Sequence, residues 1–179
     1  MLTITENEPT PLLKDFAAFI DYLKTHKIVL TEANEFISGK NLFELNQQMT
    51  HPVPYTVTRT TQIYYPLLHL FYHLVLGGKL FQKVPEKDRM VLKSTDRLQL
   101  YEDLKPAEKY FFLLETFWTD TDWDELQAGY FGTSPFRKID IILANISEMT
   151  PGKKIRLEDE MQDDMRMLIF DLNPFCLIV

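Results

Sequence analysis

Cysteine is almost missing from this chain: Cys176 is the only one in 179 residues. A lone cysteine excludes an internal disulfide and a zinc ribbon, and it fits a reducing cytosol. Positive charge is also short. Nineteen Lys and Arg stand against 26 Asp and Glu, a net charge of −7. That argues against bulk attraction to nucleic acid or anionic membranes, while leaving room for a local basic patch. Residues 1–11 have no basic n-region and no apolar h-region, so no signal peptide is expected. The apolar runs fall short of the roughly 20 residues that span a bilayer. The expectation is a cytoplasmic protein with no membrane partner. No GxGxxG, Walker or GxSxG motif occurs, and no combination of serine, histidine and acid stands out. These absences weigh against an enzyme without excluding one, and no catalytic residue and no cofactor is assigned.

What is present is enough to build a core. Hydrophobic residues make up 45% of the chain and aromatics 13%, so one domain, or two small ones in contact, can fold without disulfides or metal. The chain is organised around Tyr64–Gly78, YYPLLHLFYHLVLGG, which is apolar or aromatic almost throughout and carries no formal charge. Its length and composition predict a central helix. Gly77 and Gly78 are expected to end it by taking positive φ.

Before it, Leu12, Phe16, Phe19, Ile20 and Leu23 recur at helical spacing after Pro11 and predict an amphipathic helix. His26–Thr31, HKIVLT, reads as a short strand that joins a small sheet. Ser38-Gly39 is a breaker, and Leu42, Phe43, Leu45 and Met49 predict a second helix ending before His51-Pro52. Pro52, Pro54 and the threonines at 56, 58, 60 and 61 form a loop or an extended connection, with a composition that allows motion. After the central helix, Leu80–Lys93 reads as a β-hairpin turning at Pro85–Asp88, with Thr95 or Asp96 capping a short helix through Leu104.

Pro106 opens a further helix whose apolar face holds Tyr110, Phe111, Leu113, Leu114, Phe117 and Trp118. A Gly129–Gly132 loop, a helix striped by Phe136, Ile139, Ile142, Leu143, Ile146 and Met149, and a last helix through Leu157–Leu172 complete the expected order. The apolar ending FCLIV is expected either to pack into the core or to mark a fragment of a longer protein; Cys176 within it reads as a core residue rather than a nucleophile.

Helix, short strand, helix, long helix, hairpin, helices is the order of a winged helix. The expected class is therefore mostly α: a winged-helix-like domain at 1–104 with a small β-hairpin wing, and a C-terminal helical part at 105–179 packed on it, or one continuous domain. The segments YPLLHLFYHLVLGGKL and LKPAEKYFFLLETFW also resemble a helical region of uncharacterised bacterial proteins related to the plasmid ORF-3-like family. The resemblance spans residues 10–130 and rests on pattern. It implies no activity and no functional residues, and it places the chain near bacterial regulatory or mobile-element systems.

Four clusters bear on function. The hairpin carries Lys79, Lys83, Lys87, Arg89, Lys93 and Arg97 against Glu86, Asp88 and Asp96. Lys83, Lys87, Arg89 and Lys93 are candidate phosphate contacts, which makes DNA a candidate partner through the wing. The plainer reading is a solvated hairpin whose lysines discourage edge pairing.

On the central helix, one face holds Leu67, Leu68, Leu70, Phe71, Leu74 and Val75. The other holds Tyr65, His69, Tyr72, His73 and Leu76, with no long base or amide to read a DNA groove. Tyr65, His69, Tyr72 and His73 are therefore candidate residues for docking a protein partner or for self-association, unless the helix is wholly buried. The pair His69/His73 has metal-ligand spacing, but lacks the glutamate of HExxH and a third ligand, so no metal is assigned. A metal-dependent enzyme at these histidines is the weakest reading. Asp120, Asp122 and Asp124 imitate the start of a calcium loop, but Glu125 and Phe131 stand where the loop needs glycine and glutamate. The leading reading is a non-catalytic binding module. The alternative is a DNA-binding regulator using the wing.

Overall fold

The computed structural model describes residues 4–127. Helix α1 (Leu12–Thr25) follows Pro11, and its period is the expected one: Leu12, Phe16, Phe19, Ile20 and Leu23 are buried while Lys14, Asp21 and Lys24 are exposed. Ser38 caps α2 (Gly39–Asn46), its hydroxyl accepting from Asn41 N at 3.5 Å, so the Ser38-Gly39 breaker is a helix start. A long connection ends in a 3-10 turn at Gln62–Tyr64 and leads into α3 (Pro66–Gly77).

Strands β1 (Phe81–Glu86) and β2 (Arg89–Ser94) form an antiparallel hairpin, in register from Phe81 opposite Ser94 to Glu86 opposite Arg89. Two residues close it, with Lys87 at φ 56°, as a tight hairpin connection requires. Thr95 caps α4 (Asp96–Glu102) by accepting from Arg97 N at 3.2 Å. Pro106 opens α5 (Pro106–Thr119), where Glu108 returns to accept from Lys105 N at 2.7 Å. A short α6 (Trp123–Gln127) follows. The described chain is thus mostly helical with one small hairpin. No helix among the described residues is long and apolar enough to cross a membrane.

The HKIVLT segment joins the hairpin as expected. Leu30 N donates to Met90 O at 2.9 Å and Leu92 N donates to Ile28 O at 3.0 Å. These groups of β2 point away from β1, so Ile28–Leu30 lies on the opposite edge, bridging Val29 to Val91. Leu30 also pairs with Ile37, which closes the loop of residues 31–36 into a strap.

Helix α3 is the core. It packs against α1, α2, α5, β1 and the 3-10 turn. Phe71 meets Phe16 edge-on at 5.1 Å and Phe19 at 5.6 Å. A helix enclosed from this many sides must be apolar all round, and that is why its sequence lacks charge.

Two expectations change. Gly78 caps α3 in the right-handed region, and the positive φ falls on Lys79 at 54°. The glycines serve close approach instead: a Cβ on Gly77 would lie 3.0 Å from Asp120 O, and one on Gly78 3.0 Å from Phe112 Cζ. Phe111, placed on the apolar face of α5, is 55% exposed, while Tyr110, Leu113 and Phe117 are buried.

The chain divides into two compact units, Met1–Asp122 and Trp123–Val179. The sequence-based boundary at 104/105 falls between α4 and α5, both inside the first unit. The expected Gly129–Gly132 loop, the helices at 136–149 and 157–172, and the FCLIV ending with Cys176 lie outside the described residues.

Candidate binding surface

The tyrosine and histidine face of α3 is interior. Tyr65, His69, Tyr72 and His73 are at most 3% exposed, so the docking surface expected there does not exist as a surface. The strap of residues 31–37 covers it. Phe36 lies edge-on to His69 at 5.3 Å and to Tyr72 at 6.0 Å, and the Tyr72 hydroxyl donates to Glu35 O. Gln62 ties the strap to the helix: its Oε1 accepts from Ile37 N at 2.8 Å, and its Nε2 lies 2.9 Å from His69 Nδ1.

The rings of His69 and His73 meet edge-on at 4.6 Å. His73 Nε2 is buried without a hydrogen-bond partner. Burial first, then the neighbouring His69 and Lys83, push the His73 pKa well below the ordinary imidazole value. Both rings are buried in the core, and burial favours the neutral form of His73. Among the described residues no group of three His, Cys, Asp or Glu side chains is placed to hold a metal.

Two of the hairpin cations face carboxylates. Lys83 Nζ donates to Glu35 Oε2 at 2.8 Å, and Arg89 lies 4.0 Å from Glu32. Lys27 pairs with Glu86 at 2.8 Å and holds its carboxyl below the usual range, with Lys93 and Lys87 adding smaller contributions. Lys87, Arg89 and Lys93 are exposed, but the strap and the hairpin together put carboxylates among them. Their exposure also means that these pairs contribute little to stability.

A different region gathers exposed apolar side chains. The connection between α2 and α3 displays Tyr55 at 102% exposure, Val57 at 59% and Tyr64 at 65%. Side-chain hydrogen bonds fasten it at several points. The buried Asn46 amide grips Val53 twice: Nδ2 donates to Val53 O at 2.9 Å and Oδ1 accepts from Val53 N at 2.8 Å. Buried Asp15 on α1 accepts from both Thr50 N at 2.9 Å and Thr50 Oγ1 at 2.7 Å through one oxygen.

Further along, Val57 and Thr60 close on each other, Thr60 N donating to Val57 O at 2.8 Å and Val57 N to Thr60 Oγ1 at 2.9 Å. This turn lies directly on the start of α2, where only glycine fits: a Cβ on Gly39 would come within 2.6 Å of Thr58 O and 2.8 Å of Thr60 O. Tyr55 itself holds φ 59°, a left-handed conformation that costs a tyrosine on the order of 1 kcal/mol. The loop is therefore fixed at several points while its largest side chains face water.

A shallow cleft elsewhere is lined by Leu13, Ala17, Ile20, Tyr101, Pro106 and Lys109. At its rim Glu102 is taken by Lys24 at 2.6 Å, and Lys109 sits 5.6 Å over the Tyr101 ring.

Compared with protein-family models, with curated proteins and with solved structures, the chain matches none of them. The signal for the loop was in the sequence all the same. From Leu45 to Pro85 there is no aspartate or glutamate, in a chain that has 26. Tyr55 stands in the middle of the exposed part of that run, directly after Pro54.

Proposed function

We propose that this chain contains a winged-helix-like unit acting as a non-catalytic binding module, and that it docks a protein partner through the α2–α3 connection. The fold reading rests on the pairing of Ile28–Leu30 with the outer edge of β2 and on α3 lying between α2 and the hairpin. The functional reading rests on one observation: Tyr55 stands fully in solvent on a loop that two buried side chains, Asn46 and Asp15, fasten at Val53 and Thr50.

The physics favours docking. Covering a tyrosine removes roughly 150–250 Å² from water, which at about 25 cal/mol per Å² is worth about 4–6 kcal/mol before losses. A loop already ordered in the free protein loses little entropy when it binds, so more of that energy reaches the affinity. Tyrosine and arginine are the side chains that most often dominate interfaces, and Arg59 lies on the same loop, exposed.

DNA binding through the wing has less support. Two of its four candidate contacts, Lys83 and Arg89, already face carboxylates.

The test is peptide display against the whole chain, with a Tyr55→Ala/Tyr64→Ala protein as the counter-selection. Peptides that bind the parent protein and lose the double variant are expected. A pool that binds both equally removes the docking reading.

A further inference from the structure

The surface around Tyr55 has a chemical bias that names its partner. Between Glu44 and Glu86 the chain runs 41 residues without a carboxylate. The exposed part of that run, from Gln47 to Thr61, presents Gln47, Gln48, His51, Tyr55, Arg59 and several threonines. Two carboxylates stand at its base, each accepting hydrogen bonds from neutral donors. Asp15 is buried under two bonds to Thr50, and Glu44 accepts from the Tyr22 hydroxyl at 2.7 Å.

This bias is local. Residues 120–179 hold twelve acids against six bases, while residues 1–119 are nearly balanced at fourteen against thirteen. The loop from Gln47 to Thr61 carries Arg59 and no carboxylate, so an acidic segment laid along it meets a positive side chain and none of its own sign within the loop. Charge of opposite sign across a contact favours the matching partner.

Resting on the docking reading above, we infer that the α2–α3 loop recognises an acidic protein segment carrying an apolar anchor. The anchor packs against Tyr55 and Val57. Carboxylates beside it meet Arg59 and the hydroxyl and amide donors of the loop. Nucleic acid fits the same face less well. Tyrosine rings can stack on bases, but a phosphate chain needs several cations in a row, and Gln47–Thr61 supplies one arginine.

The experiment uses the full chain and a displayed library of random twelve-residue peptides, counter-selected on Tyr55→Ala/Tyr64→Ala. Selected peptides should carry Asp or Glu flanking Leu, Phe or Trp. Their binding should weaken about tenfold or more between low and high NaCl, and by a similar factor in Arg59→Glu.

Tyr55-dependent peptides without excess acid, or with binding insensitive to salt and to Arg59→Glu, overturn the acidic-partner inference and leave the docking reading intact. A pool with no dependence on Tyr55 removes both. Tyr55-dependent capture of a single-stranded oligonucleotide that exceeds capture of acidic peptides replaces the protein partner with nucleic acid. Thermal melting of each variant separates lost binding from lost fold, since Tyr55 and Arg59 are both exposed and their substitution should leave the melting temperature within a few degrees.

Discussion

Asn46 holds Val53 by both of its backbone groups, with its amide donating at 2.9 Å and accepting at 2.8 Å from within the core. A side chain that mimics a strand partner in this way fixes the loop at the point where it leaves α2. The loop then carries Tyr55 out into solvent two residues later. Asn46→Ala should cost roughly 1–3 kcal/mol, because Val53 N and O lose their partners together. Urea denaturation gives the loss, and amide exchange at Val53 should accelerate more than exchange in α1. An unchanged rate at Val53 would mean that other contacts hold the loop.

Asp15 is the second fixing point. Asp15→Ala strips Thr50 N and Thr50 Oγ1 of a shared acceptor and should destabilise by about 1–3 kcal/mol. Thr50→Ala removes only the hydroxyl and should cost less. A chemical-denaturation comparison of the two variants tests the order, and equal losses would show that the backbone bond carries nothing.

How far the sequence reaches is visible at these two residues. Asp15 looks like an ordinary polar member of the α1 wheel, and Asn46 looks like a residue near a helix end. Their roles depend on which loop lies over them, and helical periodicity carries no such information. Periodicity did place α1, α2 and α5, because each buries an apolar stripe, while the length and uniformly apolar composition of α3 placed that helix. Turn chemistry placed the hairpin, since Lys87-Asp88 closes a connection with positive φ. It misplaced the positive φ after α3, because Gly77 and Gly78 answer to crowding by Asp120 and Phe112 instead. The histidine face of α3 read as a contact surface or as wholly buried, since polar residues on one side of a wheel usually meet water, and it is buried. Here the strap of residues 31–37 covers that face: Tyr72 donates to Glu35 O, Gln62 of the 3-10 turn meets His69, and His73 Nε2 is buried without a partner.

Gly39→Ala separates helix propensity from loop packing. Alanine in place of glycine inside a helix favours it by about 1 kcal/mol. The new Cβ would meet Thr58 O at 2.6 Å and Thr60 O at 2.8 Å, both backbone atoms. The expected result is a net loss of stability, with chemical-shift changes centred on Val57–Thr60. A net gain would mean that the turn moves aside at little cost.

The buried His73 makes stability depend on pH with a definite sign. Its folded-state pKa lies well below the ordinary 6.5, from burial first and then from His69 and Lys83. As the pH falls through 6.5, the unfolded chain takes up a proton that the folded chain refuses. Stability therefore falls with falling pH, by up to ~1.4 kcal/mol per unit from this group, until the folded-state value is reached. Above neutrality His73 adds no slope. His73→Leu should flatten the acid side of a stability curve measured by urea midpoints between pH 7.5 and 5. Parallel curves for the two proteins would show that His73 titrates normally.

Backbone ¹⁵N relaxation across residues 53–60 tests the central claim most directly, since it asks whether the exposed loop is held still in the free protein. Order parameters near 0.85 at Val53, Tyr55 and Val57, level with α1, are expected of a loop fixed by Asn46, Asp15 and the Val57–Thr60 turn. Values below about 0.6 at these residues would mean a loop that flexes on the ps–ns timescale, and a display of Tyr55 that is not preorganised.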